Sequence, residues 1–237
     1  MQTTEVNTGG EFEFAALSEA HNYRKALVRE FQPHLQGRVL EIGAGIGQMT
    51  SEIKRLPHLQ EVVSVEPDPA FCQAFQKAHP HQKLIAGTVD DVSKGQSWNA
   101  ILSVNVLEHI REDQSELETY RALLASTRGA LCLFVPARPE IYAPIDRAFG
   151  HYRRYTRAGL SQRLRQAGFA IERLRYFNFA GYFGWWLIFR ILKRPRFNPG
   201  SIRWFDRMIF PPVHWLETNL CPPPLGQSLL AIARAKG

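Results

Sequence analysis

The chain has 237 residues, of which 45% are hydrophobic and 22% charged, which fits one α/β domain with a full core and excludes a disordered or fibrous chain. Lys and Arg number 29 against 22 Asp and Glu, a formal charge of +7, which favours phosphate-bearing or other anionic partners without choosing among nucleic acid, lipid headgroups and small anions. Cys72, Cys132 and Cys221 lie too far apart for a disulfide framework or a paired metal-ligand spacing, so reduced thiols, a cytoplasmic setting and no metal are expected.

The first residues are polar and acidic and lack the basic start and apolar core of an export signal. Apolar residues at helical spacing over 15–31 predict an N-terminal helical cap within 1–37, ended by Gly37. Short runs rich in Val, Ile and Leu then predict strands over 38–42, 61–66, 83–86, 100–104 and 130–135, separated by helix-like stretches over 48–56, 68–78 and 113–127. This alternation is the pattern of a mostly parallel sheet with helices on both faces.

After the fifth strand, Thr156 is a suitable N-cap for a helix running to Gly168, and a sixth strand follows over 169–176. The core of the sheet is therefore expected over 38–177 and the last strand within 227–237, all in a single domain. Between them, 178–226 is an insertion rich in Trp, Phe, Pro and Arg, too long for a plain connection and expected to be a substrate lid. Its apolar run is interrupted by Arg190 and is short of the roughly 20 residues a spanning helix needs. With Lys193, Arg194 and Arg196 directly behind it, it suits peripheral contact with an anionic membrane face.

The segment Val39-Leu40-Glu41-Ile42-Gly43-Ala44-Gly45-Ile46-Gly47 places a strand before a glycine loop and a helix, the context in which such a loop approaches a nucleotide. Glu66 ends the second strand, placed to accept hydrogen bonds from ribose hydroxyls. A dinucleotide fingerprint wants a third glycine where Gln48 stands, and no Tyr-x-x-x-Lys pair is visible, which disfavours a nicotinamide-dependent oxidoreductase. A non-catalytic nucleotide-binding or membrane-adaptor protein remains as the other alternative.

These residues resemble the class I S-adenosylmethionine-dependent methyltransferases: Glu41-x-Gly43-x-Gly45-x-Gly47 is similar to their first motif, and Val65-Glu66-Pro67-Asp68 to their ribose-binding strand end. The resemblance implies a Rossmann-like seven-stranded sheet with an antiparallel last strand. It also implies methyl transfer from S-adenosylmethionine, leaving S-adenosylhomocysteine. Thr88, Val89 and Asp90 would cradle the adenine, and Asn105 would join the cofactor site. Val106-Leu107-Glu108-His109 resembles a family segment in which His109, expected one helical turn from Asn105, could take a proton from the acceptor.

The run Gly150-His151-Tyr152-Arg153-Arg154-Tyr155-Thr156 resembles a stretch of a bacterial subgroup active on cell-envelope and natural-product substrates. It marks His151 as a second catalytic candidate, and Tyr142, Arg153, Arg154 and Tyr155, with Tyr23 from the cap, as contacts to an anionic small-molecule or lipid-linked acceptor; the alternative is a basic loop whose arginines pair with Asp146 or Glu140. Basic residues are spread along the chain and no Asn-Pro-Pro-Tyr-like motif follows the fourth strand, so nucleic acid is not expected as a partner.

Overall fold

The seven apolar runs form strands β1 (Gly37–Ile42), β2 (Leu59–Glu66), β3 (Lys83–Ala86), β4 (Ala100–Val104), β5 (Ala130–Pro136), β6 (Phe169–Phe177) and β7 (Ser228–Ala235) of one sheet, in the order β3-β2-β1-β4-β5-β7-β6. The structure is a computed structural model and describes residues 18–93, 95–194 and 198–236. Paired strands are parallel from β3 through β5, and β7 runs antiparallel between β5 and β6. This is the Rossmann-like sheet expected from the sequence.

Alternate residues of each central strand feed two separate cores, one on each face of the sheet. In β5, Leu131, Leu133 and Val135 pack with Trp98, Tyr120 and Leu160, while Ala130, Cys132 and Phe134 pack with Leu27, Phe31 and Ile53. The helices that cover the faces are α1 (His21–Phe31), α2 (Gln48–Ile53), α3 (Pro69–Ala78), α4 (Asp113–Leu124), α5 (Pro144–Ala148) and α6 (Arg157–Gln166). Their starts follow local chemistry: Asp68 accepts from the N–H groups of Ala70 and Phe71 to open α3, and Thr156 accepts from that of Gly159 to open α6.

Two boundaries differ from the sequence reading. The first helix stops at Phe31 and passes through a 3₁₀ turn, Gln32–His34, so Gly37 opens β1 rather than closing the helix. Residues 15–17 of the expected cap, and Arg196 of the insertion's basic cluster, lie outside the described residues.

The insertion is helical. It contains α7 (Phe179–Trp185), extended by a π-helical stretch Trp186–Ile191, then α8 (Pro199–Trp204), a second π-helical stretch Phe205–Ile209, and α9 (Phe210–Asn219). Pro211 and Pro212 lack the N–H groups that would bond four residues back, which accounts for the widened turn just before them. Two buried carboxylates fasten these helices to the body. Asp206 accepts from the N–H groups of Asn22 and Tyr23 at the start of α1, and Glu217 from those of Asn178 and Phe179 at the start of α7. None of the described helices is long and apolar enough to cross a membrane.

Candidate active site

From β1 the chain builds outward through β2 to β3, then returns to β4 on the other side, so the strand order reverses between β1 and β4. Open α/β sheets bind ligands beyond the carboxyl ends of the strands at such a point. A cavity of about 290 Å³ lies there, lined by Glu41, Gly43, Glu66, Pro67, Asn105 and His109 among others.

The glycine loop leaves β1 with Gly43 at φ +70° and Gly47 at φ +86°, a region costly for side chains. Space forbids them too: a Cβ at Gly43 would sit 2.3 Å from Val106 Cγ2, and one at Gly47 would sit 2.3 Å from the His79 ring. The loop is held to the second strand by Glu66, whose Oε2 accepts the Gly45 N–H at 2.8 Å while Oε1 accepts the Asp68 N–H at 2.9 Å. Burial raises the Glu66 carboxyl above its usual range, against these two hydrogen bonds.

Glu41 is fully buried one residue before the turn. Its Oε2 accepts from Thr50 Oγ1 at 2.6 Å and Ser64 Oγ at 2.7 Å, whereas Oε1 has no hydrogen-bond partner among the described residues. Burial pushes this carboxyl up to about 7 in spite of the two hydroxyl donors. A buried acceptor left open on a cavity wall is a place for a ligand's N–H or ammonium group.

A second cavity, of about 600 Å³, lies between the sheet and the insertion. Trp185, Ile188, Phe189, Leu192 and Phe210 give it an apolar wall, and Glu108, His151 and Arg154 a polar one. Tyr23, Asn105 and Phe149 line both cavities, so the two meet at the end of β4. Asn105 stands there at φ +53° and donates its N–H to the Phe134 carbonyl. The expectation that Asn105 and His109 share one helix face does not hold. The left-handed residue keeps the helical path from starting at β4, and only a 3₁₀ turn, Leu107–His109, follows. Both side chains nevertheless reach the smaller cavity. Burial, with the neighbouring His151 adding to it, holds His109 down at about 3, so the ring is neutral near pH 7 and a weak proton acceptor.

The GHYRRY run folds around a carboxylate that the sequence reading did not select. Asp146 is fully buried and accepts from His151 Nδ1 at 3.1 Å, Arg154 Nε at 2.8 Å and the Ala143 N–H at 2.8 Å. Burial alone would raise its carboxyl; the His151 hydrogen bond and the Arg154 guanidinium outweigh it and leave it below the usual range. Arg154 also stacks on Trp185 of α7, with its guanidinium carbon 4.4 Å from the ring centroid.

Tyr142, Arg153 and Tyr155, expected to touch substrate, are absent from the linings of both cavities, and each has a framework partner. Arg153 pairs with Asp113 at 2.7 Å, Tyr155 donates its hydroxyl to Asp113 at 2.9 Å, and Tyr142 donates to the His151 carbonyl. His151, Arg154 and Tyr23 do line the larger cavity, and Arg194 joins them from the insertion. Thr88 caps the 3₁₀ turn Val89–Asp91, whose Asp91 carboxylate accepts the Thr88 N–H; Thr88, Val89 and Asp90 lie outside the lining of the smaller cavity, although Gly87 just before them donates its N–H to the Glu66 carbonyl. Glu108, wholly buried on the wall of the larger cavity, is the further polar residue the sequence reading passed over.

Solved structures carry the same fold at low identity. A Haloferax volcanii chain solved in complex with a methyltransferase activator superposes with a TM-score of 0.65 at 14% identity, over 96% of this chain and 95% of that one. An S-adenosylmethionine-dependent methyltransferase from Clostridium acetobutylicum gives 0.58 at 8% identity over 92% of each chain. One from Mesorhizobium loti gives 0.57 at 18% identity over 87% of this chain and 95% of that one. No curated protein sequence matches the chain. The methyltransferase domain family matches residues 16–174, which span the glycine loop, the Glu66 strand end, the β4 exit and the Asp146 hub. The chain therefore belongs to the methyltransferase domain family and is an S-adenosylmethionine-dependent enzyme.

Proposed function

We propose that the enzyme methylates an amphiphilic acceptor, a lipid-linked molecule with an anionic head, drawn from an anionic membrane surface. The observation that carries this reading is the placement of exposed apolar surface. Among the described residues every exposed large hydrophobic side chain except Tyr152 lies within 183–220, on the insertion whose inner side walls the larger cavity. Arg190, Lys193 and Arg194 accompany this apolar face, as a headgroup-facing surface requires.

The residues of the smaller cavity fit the cofactor. S-adenosylmethionine supplies an electrophilic methyl group on a sulfonium centre. Glu41 Oε1 offers a buried acceptor to an ammonium group, and Glu66 stands at the strand end where ribose hydroxyls are received in folds of this kind. We assign Gly43, Gly45, Gly47, Pro67 and Asn105 to the same site, and Thr88, Val89 and Asp90 to the adenine side.

His109 and His151 stand where the cavities meet, at the reacting end of the acceptor. The apolar wall of the larger cavity would hold the acceptor's chain and keep water from that junction. Because Asp146 already occupies the Arg154 guanidinium, the anionic head is assigned to the rim at Arg194 instead. The test is release of S-adenosylhomocysteine in a screen that pairs each anionic prenyl-linked acceptor with its water-soluble headgroup. Turnover of the lipid-linked member alone is expected; equal turnover of both would overturn the reading.

A further inference from the structure

Two stretches that are distant in sequence, the β4 exit and the loop after α5, bring one carboxylate and two imidazoles together. Glu108, His109 and His151 each offer a ligand atom, and these atoms all lie within 4.8 Å of one another. His151 Nε2 is 3.9 Å from Glu108 Oε1, and the two rings meet edge to face with centroids 4.7 Å apart. We propose that this cluster binds one divalent first-row cation of the zinc type, at the junction of the two cavities, with a coordination position left for an acceptor oxygen.

Three observations carry it. The donor set is the first: two imidazoles and one carboxylate, with an open position, is a combination that holds zinc and related ions in catalytic sites. Bonds of about 2.0–2.1 Å would place ligand atoms about 3–3.5 Å apart, so the present spacing closes by small side-chain rotations.

The second is the hydrogen bond on the far side of the ring. His151 Nδ1 donates to Asp146, which directs the Nε2 lone pair toward Glu108. Ligating histidines are oriented in this way by a carboxylate behind them. Asp146 is itself fixed by Arg154 and the Ala143 N–H, so the ring is set before any ion arrives.

The third is position. Glu108 and His151 line the larger cavity, His109 lines the smaller, and Asn105 belongs to both. A cation there would bind an oxygen of the acceptor's head and polarise it as a Lewis acid. That use rests on the acceptor assigned above; cation binding itself does not. The sequence expectation of no metal came from cysteine spacing, which is blind to a cluster assembled across 42 positions from His109 to His151.

Tag-free protein carrying Cys221→Ser, which removes the exposed thiol, would be stripped with chelator and titrated with Zn²⁺ by calorimetry and with Co²⁺ by visible absorption. One equivalent per chain is expected, with ligand-field bands from the Co²⁺ form. Glu108→Gln and His151→Gln should each weaken binding at least ten-fold, and Asp146→Asn about 10–100-fold, with folding checked by circular dichroism. His109→Asn, at the less buried edge of the cluster, supplies the same comparison if a buried variant does not fold. Substoichiometric binding to the folded protein, or unchanged affinity in every folded ligand variant, would overturn the site. The titration uses no acceptor, so its outcome is separate from that of the acceptor screen.

Discussion

The carboxylate of Asp206 accepts the backbone N–H of Tyr23 at 2.9 Å, so the insertion is fastened to the helix whose Tyr23 ring lines both cavities. The same carboxylate takes the Asn22 N–H, and with it supplies the cap that Ala20 cannot give α1. An insertion held this way separates from the body by breaking charge-assisted hydrogen bonds, not by flexing a loop.

Asp206→Asn turns one acceptor oxygen into a donor facing a donor. It should cost about 1.5–3 kcal/mol of local stability. Hydrogen exchange would show it as faster exchange over 199–219 and at the start of α1, with the sheet unchanged. Equal protection in variant and wild type would remove the anchoring role.

Glu66→Gln loses an acceptor at a carboxylate that already holds the Gly45 and Asp68 N–H groups. The amide must present its NH₂ to one of these donors, so both the loop and the ribose contact suffer. Affinity for S-adenosylhomocysteine should fall about ten-fold or more. Gly45→Val should abolish binding, because Gly45 sits at φ +55°, which a branched residue resists. Calorimetry decides both, and an unchanged dissociation constant in either would show the loop has another use.

Burial lifts Glu41 to about 7, above the roughly 4.3 of an unfolded chain, so the folded state holds a proton that the unfolded state has lost. The stability this contributes is fully present below the unfolded value and is lost as pH rises through 7, on the order of 3 kcal/mol in all. Melting temperature of the ligand-free protein should therefore fall from pH 5 to pH 8 more steeply than that of Glu41→Gln. A ligand ammonium at Oε1 favours the carboxylate, so cofactor affinity should rise over the same range. Parallel melting curves would place the titration elsewhere.

Strand positions and the glycine loop were legible because each depends on a local pattern. In β5 alternate residues serve two cores, which yields an unbroken apolar run, and Gly43 sits where a Cβ would strike Val106. The Asp146 hub was legible only as an alternative to contact with the acceptor. Its partners lie within eight residues, yet nothing in their spacing separates two arginines that grip a ligand from two that neutralise buried carboxylates. That distinction needs depth, and Arg154 proves buried while Arg153 leans on Asp113. The insertion's helices were also hidden, since prolines and aromatics obscure helical periodicity and their caps, Asp206 and Glu217, act across long sequence distances.

The two arginines should consequently behave differently. Arg154→Ala strands the fully buried Asp146 carboxylate and should cost about 3–5 kcal/mol, with Arg154→Lys recovering only part because an ammonium cannot reproduce the planar contact or the stack on Trp185. Arg153→Ala leaves Asp113 with Arg163 at 2.9 Å and should cost about 1 kcal/mol or less. Denaturant melts compare them directly. Equal, small losses would return both side chains to the acceptor.

The adjacent tryptophans of the insertion offer the sharpest test of membrane contact. Trp185 is 7% exposed, under the Arg154 guanidinium, whereas Trp186 is 43% exposed beside Leu187 and Phe183 on the outer face. If that face lies in a membrane interface, Trp186→Ser combined with Leu187→Ser removes apolar area that anchors the protein while leaving the core packed. Sedimentation with anionic vesicles should then fall several-fold at unchanged melting temperature, because side chains of this size contribute about 1.5–3 kcal/mol each when fully buried. Trp185→Ser should do the reverse, lowering the melting temperature through loss of a packed ring and of the Arg154 stack. The basic side chains add a salt dependence: binding of the wild type should weaken as ionic strength rises and should be poorer on neutral vesicles. Wild-type protein that ignores anionic vesicles would remove the membrane from the reading and point to an acceptor delivered from solution. Loss of stability in the Trp186 pair would instead assign this face to packing against another protein surface or a second copy.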